Sequence, residues 1–255
     1  MNKPSKSGKI FGIQPVKEAV LAGKSIDKVL IKKGLQSELF GELFKLLRDR
    51  KINFQYVPQE KLNHLSGGNH QGIIAFVSPI EFIEIADIIP YIYEKGEVPF
   101  ILVLDEISDV RNFGAIARTA ECAGVHAIII PFKGSAAIGA DAMKTSAGAL
   151  SRITICKSNN LPESIKYLKT SGLQILAADE KAEKSYLESD FTIPTALIMG
   201  SEETGIQKEN LKEADSVIRI PMNGEIQSLN VSVATGILLF EGLNQRKKNK
   251  NHILV

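Results

Sequence analysis

Three polar, glycine-bearing segments of this 255-residue chain hold side chains that could do chemistry, and each follows an apolar run. The first reads Asn112-Phe113-Gly114-Ala115-Ile116-Ala117-Arg118-Thr119-Ala120. Asn112 is a residue type that caps helices, and Ile116, Ala120 and Ala123 would form the buried stripe of the helix that follows. Arg118 lies about 200° around the helix from Ile116, so it faces away from that stripe. A guanidinium there either clamps a phosphate or ribose or stands in solvent. The second segment is Gly200-Ser201-Glu202-Glu203-Thr204-Gly205, in which the glycines permit close backbone approach and the carboxylates can accept from a ribose or an amine. The third runs Ile220-Pro221-Met222-Asn223-Gly224 and then Ser228-Leu229-Asn230. Ser228 could cap the last helix, or offer its hydroxyl with the Asn230 amide to a ligand at the strand ends.

Other chemistries are disfavoured. His64, His70, His126 and His252 show neither an i, i+4 pair nor Cys/His spacing, so no metal site is expected. Gly139–Ser146 resembles a phosphate-binding loop but carries Met143 where the second glycine is needed. After the apolar run Ile101–Leu104, a dinucleotide fold would show G-x-G-x-x-G, and the chain has Asp109-Val110-Arg111-Asn112-Phe113-Gly114 instead. Cys122 and Cys156 lack C-x-x-C spacing and read as reduced thiols of a cytoplasmic protein. The polar, basic start has no secretory pattern, and no apolar run approaches the roughly 20 residues that span a bilayer.

The elements that must position these residues form an α/β series. Residues 1–78 alternate helix and strand signals and carry 13 Lys+Arg against 6 Asp+Glu, whereas the remainder carries 18 against 23. A basic module beside a near-neutral one suggests that the first meets a polyanion. Strands are expected at Ile26–Ile31, Phe54–Val57 and Gln71–Val77, with helices after Pro15 and over Ser37–Arg50. Residues 79–99, with three prolines, read as a linker containing a short helical piece. From 100 to 246, strands at Ile101–Leu104, Ala127–Ile130, Gln174–Ala177, Ala196–Met199 and Val217–Ile220 look like parallel strands covered on both faces. Helices fall between, including Asn112–Ala123 and Pro162–Lys169. The last, Leu229–Leu243, is apolar nearly all round and needs cover from within its domain or from another subunit. Arg246, Lys247, Lys248 and Lys250 then read as a basic tail, with residues 247–255 outside the domain.

Taken in order and spacing, the three segments resemble the three motifs of the SpoU/TrmH RNA 2′-O-ribose methyltransferases, over residues 109–241. Residues 10–77 are similar to the small L30-like α/β domain that precedes the catalytic domain in many members. The resemblance implies a C-terminal knotted α/β (SPOUT-type) domain that uses S-adenosylmethionine and works as a homodimer with the active site near the interface. By motif position it implies that Gly200, Ile220, Met222, Ser228 and Leu229 hold the cofactor. Asn112, Arg118, Glu202, Ser228 and Asn230 would surround the reacting ribose, with Ser146 a further participant. The implied substrate is RNA, a large-subunit rRNA guanosine before a tRNA nucleotide, because the front domain suits the shorter tRNA-modifying members less well.

A ribose 2′-hydroxyl attacks poorly until its proton is drawn off, so the site must supply alignment and a proton acceptor. A guanidinium is essentially never neutral, which makes Arg118 a clamp and leaves the proton to Glu202 or water. Two other readings stay open: a catalytically silent RNA-binding or ribosome-assembly factor, and a small-molecule α/β enzyme with an incidental basic domain.

Overall fold

The computed structural model describes residues 8–50, 52–66, 69–226 and 228–253. The chain divides into two units, residues 1–81 with 138–140, and residues 82–137 with 141–255. The first contains β1 (Lys9–Phe11), α1 (Ile13–Leu21), β2 (Ile26–Lys32), α2 (Glu38–Asp49), β3 (Phe54–Val57), α3 (Gln59–Ser66) and β4 (Ile73–Val77). Its sheet runs β1-β4-β2-β3, with β2 and β3 parallel and the other pairs antiparallel. Alternation along β2 and β4 sends Val29, Ile31, Ile73 and Ala75 to one face, where α1 and α2 bury them with Val16, Leu43 and Leu47. Leu30 and Ile74 go to the other face, under Leu62 of α3. Ser37 caps α2 by accepting from the Phe40 N–H at 3.1 Å. The sequence reading lacked β1 and α3, whose three and eight residues are too short for a clear period.

The second unit contains α4 (Ile85–Glu94), β5 (Phe100–Asp105), α5 (Val110–Cys122), β6 (Ala127–Pro131), α6 (Ala140–Thr145), β7 (Thr154–Ser158), α7 (Leu161–Thr170), β8 (Gln174–Ala178), β9 (Lys184–Ser185), β10 (Thr195–Gly200), α8 (Lys208–Lys212), β11 (Ser216–Arg219) and α9 (Val231–Ile253). Its seven strands run β7-β6-β5-β10-β8-β11-β9, every neighbouring pair parallel. The central strands β5 and β10 are buried nearly end to end, as their unbroken apolar runs require of strands covered on both faces. Ile101, Val103, Ile175 and Ile198 pack beneath α4 and α7, and α9 lies against α5.

Residues 79–99 are not a free linker. Ile89 and Ile92 of α4 enter the second unit's core, and Phe82 pairs with Ile155 of β7. The short helical piece expected there is α4, which carries Pro90 in its interior, and the three prolines hid its packing into the core rather than its presence. Helix α9 runs on to Ile253, so the basic residues from 246 onward continue a helix. Arg246 is part of the fold. It donates to the carbonyls of Phe191, Val98, Pro99 and Ile193 at 2.7–3.0 Å and lies 4.4 Å from the centre of the Phe100 ring. Burial pulls its guanidinium down to about 10, partly offset by Asp190.

Among the described residues no helix is long and apolar enough to cross a membrane. No group of three or more His, Cys, Asp or Glu among them could hold a metal ion.

Candidate active site

Parallel strands end together, and here the carboxyl ends of β5, β10 and β8 lie side by side, with Gly200 opposite Asp105 and Met199 opposite Ala178. Such a row of strand ends is where open α/β sheets place ligands. The chain turns back sharply after β10: Ser201 and Gly205 exchange backbone hydrogen bonds at 3.0 and 3.2 Å. A side chain at Gly200 would collide with the backbone of Gly205 and Ile206, so this glycine is required by the turn itself. The sequence reading assigned it to ligand approach. Gly114 has a similar role, since a Cβ there would run into the Thr145 side chain.

The tight turn presents Glu202, and three polar groups converge on it. Its Oε1 accepts from Asn230 Nδ2 at 2.6 Å, from Asn112 Nδ2 at 3.2 Å and from the Val231 backbone N–H at 3.2 Å. Asn230 Nδ2 also donates to Asn112 Oδ1 at 3.1 Å, closing the ring of three side chains. Oε2 of Glu202 makes no hydrogen bond to the described residues. Residues 90 and 28 positions apart in sequence thus meet at one carboxylate.

Two cavities of about 290 Å³ each adjoin this cluster and share the wall formed by Ser201–Thr204 and Val231. Gly200, Ile220, Met222, Ser228 and Leu229, the five positions expected to hold the cofactor, all line the first cavity. Met199, Ile218 and Leu238 give it apolar walls, and Asp179 and Glu180 add carboxylates to its lining. The second cavity is bounded by Glu106, Ser108, Asp109 and Asn112. Glu202 borders both.

The helix caps differ from expectation. Asp109, not Asn112, caps α5 by accepting from the Asn112 N–H at 2.7 Å, which places Asn112 in the first turn with its amide free for Glu202. Asn230, not Ser228, caps α9: its Oδ1 accepts from the Ser232 N–H at 3.0 Å and its carbonyl from the Ala234 N–H. Ser228 is left to the cavity. Ser146 is buried at 1 % exposure, bonds the Met143 carbonyl and lines neither cavity. Arg118 faces away from the core as expected, but it lines neither cavity and bonds none of the described residues.

Asp105 escaped the sequence reading. It is 2 % exposed, and its Oδ2 accepts from the Gln207 N–H and from Asn210 Nδ2, both at 2.7 Å, anchoring the segment beyond the Gly200–Gly205 turn. A carboxylate closing the apolar run Phe100–Leu104 was its only signal.

A parallel α/β unit with a polar cleft at its strand ends and a small α/β unit ahead of it define the class of protein. Residues 99–240 match the profile of the SpoU rRNA methylase family, and residues 9–83 match that of the RNA 2′-O ribose methyltransferase substrate-binding domain. The chain belongs to the SpoU/TrmH family of RNA methyltransferases. A Bacillus subtilis protein assigned to the TrmH family of tRNA/rRNA methyltransferases, YacO, is 32 % identical over 93 % of this chain and 95 % of its own. The SpoU methyltransferase AviRb of Streptomyces viridochromogenes, solved with AdoMet, shares the fold at a TM-score of 0.60, with 22 % identity over 94 % of this chain and 92 % of that one. The A. aeolicus TrmH/SpoU tRNA modifying enzyme superposes at a TM-score of 0.55, with 31 % identity, covering 65 % of this chain and 85 % of its own.

Proposed function

We propose that this chain transfers a methyl group from S-adenosylmethionine to a ribose 2′-hydroxyl of RNA, with a guanosine of large-subunit rRNA as the target. The observation that carries the reading is the position of Glu202, on the wall shared by two cavities and held by Asn112 and Asn230. The first cavity suits the cofactor. Its apolar walls fit an adenine and a thioether chain, its carboxylates fit a ribose and an amine, and the loop segments 220–226 and 228–230 carry peptide groups outside any ladder. Gly200, Ile220, Met222, Ser228 and Leu229 would hold it there, and when bound it supplies a methyl activated by the sulfonium charge.

The chain's own task is to align the hydroxyl and take its proton. With Oε1 of Glu202 occupied by three donors, Oε2 is the atom left to receive that proton. Asn112 and Asn230 fix the carboxylate's orientation, and Arg118 binds RNA phosphate from the exposed face of α5. Glu202→Gln keeps the shape and removes the base. Single-turnover transfer should fall about 100-fold or more, while cofactor affinity by calorimetry changes less than about threefold. Unchanged turnover would assign the proton to water.

The homodimer, the knot and the cytoplasmic setting belong to the same proposal. Val233 and Phe240, 51 % and 49 % exposed, lie seven residues apart on one face of α9 and support a subunit contact there. Residues 218–220, 222, 228 and 229 line the first cavity together with 178–181 and 200–206, in keeping with a threaded chain. Both cysteines are free thiols, which suits the cytoplasm. Phe240→Glu should therefore shift sedimentation from dimer to monomer. A wild-type monomer at micromolar concentration would overturn the dimer. The second reading, a tRNA substrate, is favoured by the 31 % identity to the A. aeolicus tRNA modifying enzyme, but that protein matches only 65 % of this chain.

A further inference from the structure

We propose that the first unit's sheet carries a stacking platform for an unpaired base of single-stranded RNA, built from Phe76 between Lys9 and Lys28. The inference rests on the RNA methyltransferase reading and adds to it where, and in what form, the RNA is gripped.

The register sets the row. Lys9 of β1 and Lys28 of β2 both pair with Phe76 of β4, so the three side chains stand in line across adjacent strands on one face. That face is the one α3 covers: Leu62 is buried over the next rows, Leu30 with Ile74 and Val57, Leu65 packs beside them, and the Leu65 carbonyl accepts from Lys9 Nζ at 3.5 Å. Phe76 packs against the edge of that cluster and stays partly exposed. The Lys9 and Lys28 ammonium groups lie 5.7 and 5.1 Å from the centre of its ring. Lys28 makes no hydrogen bond or ion pair with the described residues, so the ring is its only partner among them.

Magnitudes decide what this arrangement favours. A base stacked on an aromatic side chain gains more than an exposed cation–π contact does. A base that displaces the Lys28 ammonium from the ring therefore gains on exchange. The lysine, on its flexible stem, turns to the adjoining phosphate. A duplex cannot offer this, because its bases are already stacked and paired. The charge is complementary, with 13 Lys+Arg against 6 Asp+Glu in residues 1–78.

The test uses the full chain and two fluorescein-labelled probes, an unstructured 12-nucleotide single-stranded RNA and a 12-base-pair RNA duplex, followed by anisotropy. Phe76→Leu keeps an apolar side chain on the underlying cluster and removes the π face, and Phe76→Tyr restores it. S-adenosylmethionine binding and thermal unfolding report integrity. We expect Phe76→Leu to weaken single-strand binding about tenfold, with Phe76→Tyr near wild type and duplex binding unchanged. Lys28→Gln, which leaves the core untouched, should lower the salt slope for the single strand by about 0.7. Wild-type binding by Phe76→Leu, or an unchanged slope for Lys28→Gln, overturns the platform while leaving the methyltransferase reading standing. Failure of the wild type to bind either RNA overturns both.

Discussion

Oε1 of Glu202 gathers donors from α5, from the residue that caps α9 and from the first peptide of α9, so the carboxylate is held by two helices at once. Each member was visible in the sequence, because each lies in a polar segment that follows an apolar run of the kind a parallel strand needs. Their meeting was not, since it depends on strand order. Nor were the caps: Asp109 and Asn112 are equally able to cap, and so are Ser228 and Asn230, and only the chain's path chooses between them. The thiols differ by environment. Cys122 is exposed and Cys156 is buried, and burial, with Glu84 and Asp87 adding to it, pushes the Cys156 thiol up to about 12. Unfolded, that thiol would titrate near about 8.5. Its contribution to stability is therefore whole below the unfolded value and lost as pH rises from there toward the folded one. Labelling with a thiol-reactive dye at pH 8 should modify Cys122 quickly and Cys156 only on unfolding. Two fast thiols would contradict the packing of β7.

At the scale of elements, the turn after β10 does most to build the site, and its geometry turns on one missing side chain. Gly200→Ala forces a methyl into the Gly205–Ile206 backbone. The expected cost is about 1–3 kcal/mol of stability, together with at least a tenfold loss of cofactor affinity read by calorimetry, roughly 1.4 kcal/mol. Gly41→Ala is the control: its Cβ meets nothing within 4 Å in the middle of α2, so it should stabilise by about 0.5–1 kcal/mol. Equal effects at the two positions would mean that the turn is not the constraint. The central strands and α2 were legible because their patterns are long and their burial is one- or two-sided throughout. Helix α3 was not, since it is short and polar, and α4 was legible only as a short helical piece because prolines flank and interrupt it. Arg246 misled for a different reason. A cation next to three lysines reads as surface, yet four carbonyls and the Phe100 ring claim it.

Over the whole molecule, the two matched regions divide the work. One parallel sheet places Glu202, the proposed proton acceptor, between two cavities, and a basic unit ahead of it in sequence matches a substrate-binding domain and, in the proposal, supplies the charge for RNA. The charge asymmetry and the switch from a mixed to a parallel series were legible in the sequence because they are properties of long stretches. What it could not carry is which face of the first unit is open, because that depends on where α3 lies. The central claim, methyl transfer to a ribose hydroxyl of large-subunit rRNA, is tested most directly by one experiment. Unmodified large-subunit rRNA and, separately, unmodified tRNA are incubated with the protein and S-adenosylmethionine labelled in its methyl group. The RNA is then digested and its nucleosides separated. Label in 2′-O-methylguanosine from rRNA is the expected result. Label on a base, or in neither RNA although the cofactor binds, would contradict the assignment, and label only in tRNA would keep the chemistry and replace the substrate.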